Sequence, residues 1–163
     1  MTEPHNEFTA LPLAQRALLW CVRMWVMQLR HGAETQARVD GMLGQLGAPT
    51  ASPHLERLML TLVYGTTREL EVLCVCQTEV AADECGLLDV LALAQAKRSL
   101  DAFLLLRSIL PAQDAGAALH SAEELGELLA QAGRFLPAPD ENVRRFARSP
   151  GPLPTRLAHH VLH

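Results

Sequence analysis

Residues 12–32 read PLAQRALLWCVRMWVMQLRHG, and this stretch decides the fold class. Leu11, Ala14, Leu18, Val22, Trp25 and Leu29 recur at steps of three and four, which stacks side chains on one face of an α-helix. Cys21, Met24 and Met27 widen that stripe, while Arg16, Arg23 and Arg30 recur at every seventh position and read as the opposite, polar face. Pro12 suits a first helical turn. Arg30 and His31 suit the negative end of the helix dipole, and Gly32 suits a left-handed stop. The reading is one helix from about Pro12 to His31. Its apolar surface is wider than a single neighbour in a small bundle covers, which leads to an expectation of a homodimer.

Outward from this helix the same logic continues. A second helix is expected over Glu34 to Leu46, with Val39, Met42, Leu43 and Leu46 inside and Gly47 as its stop. Ser52 and Pro53 look like the cap and first turn of a third helix, whose inner face is Leu55, Leu58, Met59 and Leu62. Gly65 falls inside it and marks either a close helix contact or a bend. Residues 70–77, LEVLCVCQ, read equally as the end of that helix or as a short extended piece, since a run this short fits both periods. No proline occurs between Pro53 and Pro111, so a long fourth helix is expected from Thr78 or Asp83 to Pro111, with a kink allowed at Ser99. A weak helix then leads to His120. Ser121-Ala-Glu-Glu124 reads as a capping box, followed by Leu125, Leu128 and Leu129 inside and Gly133 as the stop.

From residue 137 prolines crowd the chain, allowing only a short basic helix near Asp140 to Arg148. The division expected is a helical domain over 1–135 and a Pro-rich extension over 136–163, packed on it or trailing from it. The fold class is therefore all-α, a compact bundle of about five to seven helices. Leu18, Val22, Trp25, Leu58, Leu62, Leu91, Leu104 and Leu128 are its candidate core.

Composition supports this. The 163 residues are 49% hydrophobic, 20% charged and only 4% aromatic, with a single Ile at position 109. Leu, Ala, Val and Met must fill the interior, and such a core suits helices better than sheets. The formal charge of −4 disfavours nucleic acid as a partner, because phosphate binding needs clustered basic residues. Lys97 is the only Lys, and this Arg-for-Lys, Ala/Leu-rich usage fits a GC-rich bacterial genome. The polar, acidic N-terminus lacks the basic start of a secretory signal. The most apolar stretch, Ala17 to Leu29, is interrupted by Arg23 and is shorter than the roughly 20 residues of a membrane span. The expectation is a cytoplasmic protein with reduced thiols and no membrane span.

The candidate chemistry is sparse. Cys74, Cys76 and Cys85 form the most unusual local group, and thiolates bind zinc and iron–sulfur clusters. Zinc sites favour two CxxC-like pairs, and the second pair is missing here, so Cys21 or a His would have to complete the set. Leu73, Val75 and Val80 make the surroundings apolar, which favours reading these cysteines as buried filler with inert thiols. A redox or disulfide role is a further reading of the same group. His159 and His163 would share a helix face, but they sit near a proline-flanked end. Asp83, Glu84, Asp89 and Asp101 read as a solvated face of the fourth helix, because the Glu-x-x-His of a di-iron bundle is absent. Gly41, Gly44 and Gly47 lack the GK[ST] of a phosphate loop. No catalytic motif is complete and no cofactor is called for. The leading expectation is a non-catalytic interaction or regulatory module acting through self-association or another protein. The alternative is a metal- or cofactor-binding protein built on Cys74, Cys76 and Cys85.

Overall fold

The computed structural model describes residues 7–139 and Phe146. The described residues form an all-helical bundle: α1 (Leu13–His31), α2 (Gln36–Gln45), α3 (Ser52–Gly65), α4 (Ala82–Gln95), α5 (Ser99–Arg107) and α6 (Ala112–Gln131), preceded by a 3-10 turn at Phe8–Ala10. The only extended pairing among them is an isolated antiparallel bridge between Glu7 and Glu79. Helix α6 packs against α3, α4 and α5, and α1 packs against α2, α3 and α4. None of these helices is long and apolar enough to cross a membrane.

Helix α1 follows its stop and start signals. Pro12 is the N-cap, and Gly32 takes the left-handed conformation with φ 64°, its amide donating to the Gln28 carbonyl at 2.8 Å. The broad apolar surface of α1 is not left for a second molecule. Leu18, Leu19, Cys21, Val22, Met24 and Val26 are all buried within this one chain. The width of this apolar face therefore does not by itself call for a dimer, because three helices of the same chain and the 66–81 connector surround α1.

Three helices end in the same motif. At α2, α4 and α6 the residue after the cap is left-handed (Gly47, Lys97 and Gly133), and the next amide reaches back to Leu43, Leu93 and Leu129 respectively. This is the Schellman closure, which satisfies the last carbonyls of a helix. Two of the three stops use glycine, as the sequence signals. The third uses Lys97, φ 62°, the one non-glycine residue with positive φ among those described. It splits the expected long fourth helix into α4 and α5. Leu104 then turns outward on α5, 58% exposed, rather than lying in the core, and Leu128 is half-buried. The other six candidate core residues are buried.

Neither serine cap forms. Ala51 is the N-cap of α3, and the Ser52 hydroxyl instead accepts from Gln36 Nε2 at 2.7 Å. Ser121 is buried in the middle of α6, which runs unbroken from the Pro111 cap. The stripe Ala115, Ala118, Ala122, Leu125 and Leu129 buries against its neighbours, and tertiary packing outweighs the local capping preference of Ser121. Gly65 is the last residue of α3 and makes a close contact: a Cβ there would meet Leu110 Cδ2 at 3.0 Å and Asp114 Oδ2 at 3.1 Å. Phe146 is buried, and its ring lies against Gly86 of α4, where a Cβ would meet it at 2.7 Å. The basic residues Arg144, Arg145 and Arg148, and the histidines His159, His160 and His163, lie outside the described residues.

Candidate functional site

The polar centre of the molecule is the connector between α3 and α4, residues 66–81, and the two carboxylates that hold it. Asp83 and Glu84 stand in the first turn of α4, where the helix dipole favours negative charge. Both are buried, Glu84 almost completely. This corrects the reading of these residues as a solvated face. The spacing along α4 is the same either way. What differs is the chain crossing above it, which local sequence does not reveal.

Glu84 accepts four hydrogen bonds. Arg23 Nε donates to Oε1 at 2.9 Å and Arg23 Nη2 to Oε2 at 2.8 Å, a bidentate ion pair with both side chains sealed from water. The amides of Leu73 and Ala81 fill the remaining sites, each at 2.9 Å. The bond to Ala81 is half of a capping box, since the N-cap here has no side-chain oxygen to return it. Arg23 in turn donates to the carbonyls of Gln77 at 2.8 Å and Glu79 at 2.6 Å. The Phe8 ring covers the guanidinium at 5.0 Å, a cation–π distance, and the Phe8 amide donates to the Thr78 carbonyl at 2.7 Å. The face of α1 that the seven-residue spacing marks as polar is thus covered at Arg23 by the connector and Phe8. A buried charge is tolerable only when paired and hydrogen-bonded, and here its partners are supplied from residues 54 to 61 positions away.

Asp83 makes a second, shallower clamp. It pairs with Arg68 at 2.7 and 2.9 Å and accepts the Glu71 amide at 2.8 Å. The hydrogen bond to Asp83 holds the Arg68 guanidinium more firmly protonated than usual, against the opposing effect of burial. Arg30 Nη1 reaches the Val72 carbonyl at 3.4 Å. The connector, neither helix nor strand, is therefore fixed at many points by side chains from α1 and α4.

Between the Leu73 amide, held by Glu84, and the Gln77 carbonyl, held by Arg23, lies the turn that carries Cys74 and Cys76. Its closing bond runs from the Gln77 amide to the Cys74 carbonyl at 3.1 Å. Both cysteines are exposed. The buried-filler reading is wrong for this pair, because the apolar neighbours Leu73 and Val75 are themselves only half-buried. Cys85, beside Glu84 in the first turn of α4, is half-buried. Cys21 is sealed inside α1, and burial pushes its thiol up from 9.0 to about 12. Among the described residues no group of three or more His, Cys, Asp or Glu side chains is arranged to hold a metal ion.

A different kind of surface lies on α5. Leu100 is 69% exposed and Leu104 58% exposed, and a spacing of four places them on one face of the helix. Leu60 and Tyr64 of α3 repeat the pattern. The apolar period of α5 is present in the sequence and reads there as core, because a fourth helix running on past Lys97 to Pro111 keeps Leu104 on its inner face. No protein-family model, curated protein or solved structure matches the chain.

Proposed function

We propose that this protein is a non-catalytic interaction module that works by self-association, with α5 as its contact surface. The observation that supports the reading is the exposed Leu100–Leu104 ridge. Two large aliphatic side chains one turn apart on a nine-residue helix are what an apolar helix face offers a partner. The half-buried Phe103 adjoins them in sequence. A second copy is the simplest occupant, because a two-fold interface pairs the same patch with itself.

Sedimentation velocity across a concentration series tests this. The expected result is a reversible dimer that Leu100→Glu or Leu104→Glu dissociates while leaving the helical circular dichroism intact. A monomer of 17.8 kDa at all concentrations would remove the self-association reading.

A further inference from the structure

We propose that Cys74 and Cys76 form a reversible dithiol–disulfide couple that exchanges electrons with small disulfides of the glutathione type. Three observations converge on it. Both thiols are exposed and sit in one hydrogen-bonded turn. The turn is clamped on each side by the buried Arg23–Glu84 pair, through Leu73 before it and Gln77 after it. Neither thiol is used by the packing of the bundle, whereas Cys21 is buried in it.

The geometry is favourable. Two residues of fully extended chain span about 6.6–7.2 Å, at the outer edge of the Cα separations of about 4.4–6.8 Å that disulfides bridge. A closed turn over residues 74–77 is shorter than extended chain, which brings the two Cα atoms inside that range. The clamps already order the backbone on both sides, so oxidation closes the ring without having to organise the chain.

The chemistry balances with the disulfide as oxidant. One cysteine thiolate attacks a sulfur of glutathione disulfide, forming a mixed disulfide and expelling one glutathione thiolate. The second cysteine thiolate attacks the protein sulfur of that mixed disulfide, forming the Cys74–Cys76 bond and expelling the second glutathione. Two electrons pass from the protein dithiol to the oxidant, and the two protons leaving the cysteines end on the two glutathione thiols. Excess reduced glutathione reverses both steps.

The test equilibrates the full chain, under a chelator, in buffers of varied reduced-to-oxidised glutathione ratio, followed by acid quench, alkylation and peptide mass spectrometry. Cys74 and Cys76 are expected to become protected together, in one two-electron transition, within a single chain, while Cys21 remains a thiol. Cys85→Ser should leave that transition in place. Cys74→Ser and Cys76→Ser should each replace it with a glutathione mixed disulfide on the remaining thiol. Both positions are exposed, so the folded helical signal should survive in each variant. Independent alkylation of the two thiols at every ratio, bonding of either to Cys85, or bonding to a second chain would overturn the proposal.

Discussion

At its first turn α4 keeps two carboxylates out of water; at its last turn the chain meets a cluster of charges that stay in it. Glu84 is sealed against Arg23, while at the other end Lys97 pairs with Glu127 at 2.9 Å and Arg98 with Asp101 at 2.8 Å, all substantially exposed. The residue types and distances match. The energetics do not, because exposed pairs are screened and repay little of the side-chain entropy they lose. A buried pair is different in kind: its removal leaves an unpaired charge in a medium that cannot solvate it.

The largest expected effect follows directly. Arg23→Met alone, stranding the Glu84 carboxylate, should cost about 3–5 kcal/mol in denaturant unfolding. Adding Glu84→Leu should recover part of that loss, though not all of it, since the amides of Leu73 and Ala81 still lose their acceptor. Glu127→Gln at the opposite end should leave the midpoint unresolved from wild type. Equal effects at the two ends would erase the contrast.

The dryness of α1 beside Arg23 can be sharpened through pH. Below pH 9 the Cys21 thiol is protonated in both folded and unfolded chains, and its contribution is constant. Above that the unfolded thiol ionises while the folded one, raised to about 12, does not. Stability should therefore fall between pH 9 and 12, with a slope from this group approaching about 1.4 kcal/mol per unit. Unfolding curves of Cys21→Ala should lack that component. Parallel pH profiles for the two proteins would mean that water reaches the thiol.

A smaller effect tests what covers the N-terminal half of α4. In open solvent Gly86→Ala would stabilise a helix, by roughly 1 kcal/mol. With the Phe146 ring where a Cβ must go, the substitution should instead destabilise by about 1–3 kcal/mol. In Phe146→Ala the same glycine replacement should turn neutral or favourable. The smallest expected change is at the exposed end: Lys97→Gly should raise the melting midpoint slightly by relieving positive φ, and Lys97→Ala should not.

The contrast also explains what was legible in the sequence. The all-helical class, α1 with both its ends, and the inner faces of α2 and α3 follow from period and punctuation, because those signals are local. The split between α4 and α5 was only half visible, as a possible kink at Ser99, since its stop residue is Lys97 rather than glycine. Ser121 offered a cap that the apolar stripe of α6 overrode. The buried network was hidden almost completely. Arg23, Asp83 and Glu84 look like surface residues until the connector and Phe8 are laid over them, and the bonds of Arg23 to Glu84 and to the connector join positions more than fifty apart in the chain. The spacing of Cys74 and Cys76 stands out in the sequence, yet their exposure depends on that same connector.

The carboxylates of α4 also leave a mark on the timing of solvent exchange. The amides of Glu71, Leu73 and Ala81 lie in backbone with no regular structure, where deuterium normally enters at once, but each ends on a side-chain oxygen of Asp83 or Glu84. Their protons leave only when the clamps open. Islands of slow deuterium uptake should therefore punctuate an otherwise fast segment. The two amides sharing Glu84 should be released together, which makes exchange at Leu73 and Ala81 a reporter for breathing at a place no probe of helix content would see.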